Sequence, residues 1–194
     1  SESKYVFIKN GLNFWKNNIP NESSCNIFEM GFGTGLNAIL TYEHSIENKL
    51  KINYQTIDSN PLAINEIKFL NYSKFFNNKN TEIIFDKLHA IPWNKIHLLD
   101  KNFNFLKINK KIQNFNFATK YDIVYYDAFG SRVQPELWKE EIIKPMVKSL
   151  NSYGVFVTYS SKGDLRRTLV NLGMTVEKID GPIGKREMIR AIKI

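Results

Sequence analysis

Apolar positions recur along the chain first at strand spacing, then at helix spacing, and the switch repeats. Residues 26–30, ending in glycines, predict a first strand, and residues 34–45 predict the helix after it. Residues 51–58 alternate Ile52, Tyr54 and Thr56 with Lys51, Asn53 and Gln55, a second strand. Pro61 suits a helix start, where its fixed φ and missing N–H cost least. Leu62, Ile64, Ile67, Phe69 and Leu70 follow it at roughly helical spacing. Residues 81–89 fit either period. Residues 121–126 form an apolar run ending at Asp127, as a buried parallel strand does. Residues 137–150 predict a helix, 154–159 a strand, and 164–172 a helix stopped by Gly173; residues 175–179 and 187–194 predict the last strands. Residues 95–117, rich in Asn, Lys and Phe, interrupt the rhythm and read as one strand, near 103–108, between surface loops.

Repeated β-then-α units predict an α/β fold, a mostly parallel sheet with helices on both faces. The 194 residues suffice for a single domain with a real core, spanning 1–194, and 43% hydrophobic content marks a globular chain. No apolar run approaches the roughly 20 residues needed to cross a bilayer, so no membrane partner is expected. The start lacks a basic-then-apolar leader, and Cys25 is the only cysteine, which excludes an internal disulfide; both point to the cytoplasm. The net charge of +8 attracts polyanions, nucleic acid first among them. The abundance of Asn, Lys and Ile is also what an AT-rich genome would encode, so the charge alone leaves both explanations open. His44, His89 and His97 have no ligand spacing with one another or with Cys25, and no metal site is expected.

The strongest chemical signal is Glu29-Met30-Gly31-Phe32-Gly33-Thr34-Gly35, between a strand and a helix. Glycines let a ligand approach the backbone, and the following helix N-terminus offers free N–H groups to an anion. Leu36 stands where a dinucleotide fingerprint has its third glycine, and Asn37 replaces any Walker lysine. Asp58 ends the next strand, where a carboxylate either accepts both hydroxyls of a ribose or caps the helix near Pro61. Asp127-Ala128-Phe129-Gly130 lies at the end of a central strand, where open α/β sheets bind ligands. Asp127 either holds an amine or cationic centre there or caps a turn, and Phe129 can stack on a planar base. Lys162, Arg166, Arg167, Lys185 and Arg186 punctuate Gly163, Gly181 and Gly184; they form a phosphate-binding patch if the two segments meet, and solvated surface if they do not.

With these residues assembled, the chain resembles the methyltransferase domain of the MnmC family in its stand-alone, MnmD-like form. The likeness runs in order through Val6-Phe7-Ile8, the stretch from Glu29 to Asn37, Asp127-Ala128-Phe129, Pro135-Glu136-Leu137-Trp138, residues 158–167 and Gly184-Lys185-Arg186-Glu187-Met188. It implies a class I, Rossmann-like methyltransferase of seven strands, the last antiparallel. It implies S-adenosyl-L-methionine as cofactor, held by Glu29, Gly31, Phe32, Gly33, Gly35, Asn37 and Asp58. It also implies tRNA as partner, with methylation of the aminomethyl group on a modified wobble uridine to give 5-methylaminomethyl-(2-thio)uridine. Asp127 would be the catalytic residue, and Phe129 and the five basic residues would hold substrate. Larger members add an oxidoreductase domain that uses FAD; this length leaves no room for one, so no FAD is expected, and no obligate protein partner is inferred. Two stretches depart from the family. Asn109-Lys110-Lys111-Ile112 lacks the acid that family members place near adenine, and Gly130-Ser131-Arg132 replaces a small residue and a proline. Two alternatives stand beside this reading: a class I methyltransferase or aminopropyltransferase of a small amine, and a non-catalytic tRNA-binding protein.

Overall fold

The computed structural model describes residues 1–67, 69–70 and 79–194. A π-helical segment over Lys4–Asn13 runs into α1 (Phe14–Asn18). Then come β1 (Ser24–Met30), α2 (Leu36–Glu47), β2 (Lys51–Asp58), α3 (Ile64–Ile67), α4 (Lys79–Ala90), β3 (Ile96–Asp100), β4 (Phe103–Asn109) and β5 (Tyr121–Tyr126). A 3-10 turn at Pro135–Trp138 leads to α5 (Glu140–Ser149), β6 (Leu150–Thr158), α6 (Gly163–Asn171), β7 (Met174–Asp180) and β8 (Glu187–Lys193).

The strands form one sheet in the order β3-β4-β2-β1-β5-β6-β8-β7. Pairing is parallel from β4 through β6, while β8 runs antiparallel between β6 and β7. Successive side chains of each central strand enter opposite cores, as period 2 requires. Ile27, Ile123, Tyr125 and Val155 join α2, α4 and the N-terminal helices on one face. Phe28, Val124, Tyr126 and Phe156 join α5 and α6 on the other. Burial on both faces is why these strands read as unbroken apolar runs.

The structure corrects two expectations and resolves one open reading. The sheet has eight strands, not seven. Residues 95–117 hold two strands rather than one: β3 and β4 form an antiparallel hairpin closed by Lys101 and Asn102, with Asp100 opposite Phe103. The edge strand was hidden because Ile96 and Leu98 are exposed and Leu99 is its one buried apolar residue. The ambiguous stretch 81–89 lies inside α4, with Ile84, Phe85 and Leu88 on its buried stripe. Among the described residues, no helix is long and apolar enough to cross a membrane.

Candidate active site

β1, β2 and β5 end side by side. Gly31 N–H donates to Ile57 O at 3.0 Å and Asp127 N–H to Met30 O at 3.1 Å, so their following loops diverge from one seam. Gly31 has φ +92, and a Cβ there would lie 2.9 Å from the carbonyl oxygen of Asp127. Any side chain would therefore push the Asp127 loop away. Gly33 has φ +49 and open space where its Cβ would stand.

These three loops and the segment after β4 line a cavity of about 790 Å³, within the range of small-molecule sites. Gly31, Gly33 and Thr34 line it from the glycine turn, Asp58 to Asn60 from the end of β2, Lys110 to Gln113 from the end of β4, and Asp127 to Gly130 from the end of β5. Asp58 is fixed by two backbone donors: Gly33 N–H reaches Oδ2 at 3.1 Å and Asn60 N–H reaches Oδ1 at 2.8 Å. The N–H just before the helix that follows Pro61 is taken by another acid, since Ala63 N–H donates to Glu66 Oε2. Asp58 thus ties the glycine turn to the cavity wall instead of capping that helix.

Asn37, expected among the cofactor contacts, also joins two acids. Its Nδ2 donates to Glu29 Oε1 at 3.0 Å and to Asp127 Oδ2 at 2.7 Å. Glu29, expected among the cofactor contacts, is fully buried behind Asn37 and does not line the cavity. Burial pushes its carboxyl up to about 8, the Asp127 charge adds to this, and donors from Thr56, Asn37 and Tyr54 oppose it. Burial also raises Asp127 to about 6, opposed by the Asn37 hydrogen bond; Glu2 pushes it further up and Lys185 down. Phe32 turns its ring onto Phe105, Trp93 and His89, so it is chiefly a plug beneath the turn.

At the mouth, Phe129 is 70% exposed. Its backbone is held on both sides: Trp138 Nε1 donates to Phe129 O and Tyr159 OH to Ala128 O. The five basic residues are all exposed and are gathered unevenly. Lys185 reaches the site, its ammonium 4.1 Å from the centre of the Tyr159 ring and paired with Glu2. Arg166 and Arg186 both act on the Glu187 carboxylate, which pairs with Lys178 at 2.7 Å. Arg167 is paired with Asp164 in its own helix, and Lys162 precedes that helix at the surface.

Lys110, Lys111 and Ile112, which the family resemblance sets near adenine, do line the cavity, and Ser3, Gln113 and Tyr159 line it without having been expected there. Gln113 follows the end of β4, where ligands of open α/β sheets sit. Nothing local marks Ser3 or Tyr159.

A glycine turn and a strand-end carboxylate around a cavity, at the carboxyl edge of a parallel sheet closed by an antiparallel strand, define a class I methyltransferase architecture. The chain belongs to a family of S-adenosyl-L-methionine-dependent methyltransferases, which matches residues 79–194. It is 27% identical over 199 residues to the tRNA 5-methylaminomethyl-2-thiouridine biosynthesis bifunctional protein MnmC of Hydrogenovibrio crunogenus, covering 97% of this chain and 29% of that protein. The Campylobacter hominis protein of the same name is 31% identical over 171 residues, 85% of this chain and 25% of that one. The chain therefore spans less than a third of these relatives. MnmC2 from Aquifex aeolicus has the same fold, with TM-score 0.74 and 23% identity across 98% of this chain and 59% of that one. SAM-bound CalS10, an amino pentose methyltransferase from Micromonospora echinaspora, shares the fold more loosely, with TM-score 0.52 and 8% identity over 94% of this chain and 88% of that one.

The residues present fit the family's methyl donor. Asn37 Oδ1 is a buried acceptor at the cavity wall with no partner among the described residues, suited to an ammonium donor. Gly33 leaves bare backbone facing the cavity, and the fixed Asp58 carboxylate keeps lone pairs for hydroxyls. Buried Ile112 and the Gln113 amide line the wall beyond the end of β4.

Proposed function

We propose that the chain methylates the primary amine of a 5-aminomethyl group on the wobble uridine of tRNA, giving 5-methylaminomethyl-(2-thio)uridine. The relatives, named for tRNA 5-methylaminomethyl-2-thiouridine biosynthesis, suggest the substrate. The observation that carries the reading is Asp127: a half-buried carboxylate on the cavity wall, oriented by Asn37 at 2.7 Å beside the exposed ring of Phe129. S-adenosylmethionine supplies a sulfonium-bound methyl group, and transfer forms an N–C bond as the S–C bond breaks, with loss of a proton from nitrogen. An alkylamine has a pKa of about 10, so it arrives as a cation and must first lose a proton. Asp127, ionised above about 6, binds and orients that cation. The same value makes it a weak base, so its contribution is chiefly alignment, with proton transfer coupled to the reaction.

Phe129 offers its face to the uracil ring. Lys185 at the rim, with Arg186, Arg166, Arg167 and Lys162 beyond it, meets the phosphates, in keeping with the net charge of +8. A tRNA substrate in turn implies a cytoplasmic protein. The test is single-turnover incubation with tRNA bearing the aminomethyl group, read by nucleoside mass spectrometry. Appearance of the methylamino nucleoside supports the proposal. Its absence refutes it, and equally fast methylation of a free small amine would favour a small-amine enzyme.

A further inference from the structure

Behind the cavity, the structure stacks two carboxyls against one amide. Asn37 uses both hydrogens of its side-chain amide, one on each acid. The two bonds differ: 2.7 Å to Asp127 and 3.0 Å to Glu29. Hydrogen bonds to an ionised acceptor are the shorter ones, and the order of these two lengths agrees with an ionised Asp127 and a neutral Glu29. The surroundings of Glu29 agree. Besides Asn37 on α2, it faces the Tyr54 and Thr56 hydroxyls of β2, Tyr125 of β5, and Asp127. No cation is among these groups, and the side chain is fully buried. Glu29 Oε2, Tyr54 OH, Thr56 Oγ1 and Tyr125 OH all lack a well-formed partner among the described residues. The hydroxyls can donate to Glu29, but none carries a positive charge, so a second anion would sit fully buried beside Asp127 with no counter-ion, whereas a proton on Glu29 removes that cost.

We propose that Glu29 is a proton-bearing positioning residue: held neutral behind Asn37, it fixes the amide that orients Asp127 and leaves Asp127 the only anion facing the reacting amine. This rests on the reading of Asp127 given above. Two charged carboxyls bridged by one amide would hold the substrate ammonium more tightly and make its proton harder to lose. Ionisation of Glu29 therefore opposes methyl transfer, although rising pH otherwise frees more of the amine. Burial places that ionisation at about 8, within reach of an assay.

Two measurements test this. The first needs no substrate: carboxyl-carbon NMR of protein labelled at glutamate, titrated from pH 5 to pH 10. One glutamate signal should still be moving between about pH 7 and 9, and it should vanish in Glu29→Gln. If every glutamate finishes titrating below about pH 6, the proposal is overturned. The second is the pH profile of single-turnover methyl transfer to aminomethyl-tRNA. Glutamine accepts from Asn37 but cannot ionise, so the rate of Glu29→Gln relative to wild type should rise threefold to tenfold, roughly, from pH 7 to pH 9. Glu29→Ala, which removes the acceptor, should lose rate at every pH, and Gln should recover most of that loss. A Gln-to-wild-type ratio that stays flat with pH overturns the proposal, because a purely structural role gives that result. Failure of wild-type protein to methylate this tRNA at all refutes the substrate reading instead and leaves the NMR outcome standing.

Discussion

Replacing Asp127 by Asn separates charge from shape. The Asn37 amide donates to Oδ2 of Asp127, and an Asn side chain can present its own oxygen to the same donor. The loop should persist, because its carbonyls at Ala128 and Phe129 are pinned by Tyr159 and Trp138. What disappears is the negative charge. With the native carboxyl near 6, about nine-tenths of wild-type molecules carry that charge at pH 7. Loss of an oriented anion that binds and helps deprotonate the amine should lower single-turnover methyl transfer about a hundredfold or more at pH 7. Wild type should show an acid limb as Asp127 protonates on the way down through about pH 6; the Asn variant should lack it. The variant's defect should shrink at higher pH, where more of the amine is already neutral. S-adenosylmethionine affinity, read by calorimetry, should change little, since the Asp58–Gly33 contact does not involve Asp127 and Asn at 127 can still accept from Asn37. Asn-variant rates within twofold or so of wild type at pH 7 would remove Asp127 from the reaction. A loss constant at all pH values would leave it positioning without proton transfer.

Gly33→Val should abolish calorimetric binding of S-adenosylmethionine, because the branched side chain enters the cavity side of the turn, at a backbone strain of about 1–2 kcal/mol. Asp58→Ala should weaken the same binding by about 1–3 kcal/mol, and unchanged affinity in both would relocate the cofactor. Charge reversal at Arg167 and Lys185 together should weaken tRNA binding and flatten its salt dependence while sparing S-adenosylmethionine, and normal binding would reduce the patch to solvated surface. The stability of Glu29 carries a sign of its own. Burial raises its native pKa from 4.5 to about 8, so its contribution to stability is fully present below 4.5 and is lost as pH rises toward 8. Denaturant titration should show wild type losing on the order of several kcal/mol relative to Glu29→Gln across that window; parallel pH curves would contradict a buried, neutral glutamic acid.

The sequence by itself determined the sheet's central strands, the glycine turn, and the positions of Asp58 and Asp127 at strand ends. Those features are local: a strand buried on both faces is an apolar run, and a parallel strand feeding a helix ends at the ligand edge. It did not reveal β3, whose exposed Ile96 and Leu98 give an edge strand no burial signal. Nor did it distinguish roles within the glycine motif. Glu29 and Asn37 read alike as cofactor contacts, yet Glu29 lies one layer back and Asn37 is shared between two acids. The basic residues likewise looked equivalent, and only Lys185 reaches the cavity's Tyr159, through a pairing with Glu2 from the far end of the chain. Lys107 on β4 is buried and donates to His89 O at 2.7 Å, although nothing local in the chain marks it. These outcomes depend on which side chains distant segments bring within hydrogen-bond reach and which they remove from water. Burial and proximity set the proton on Glu29 and the charge on Asp127, and both belong to the tertiary structure.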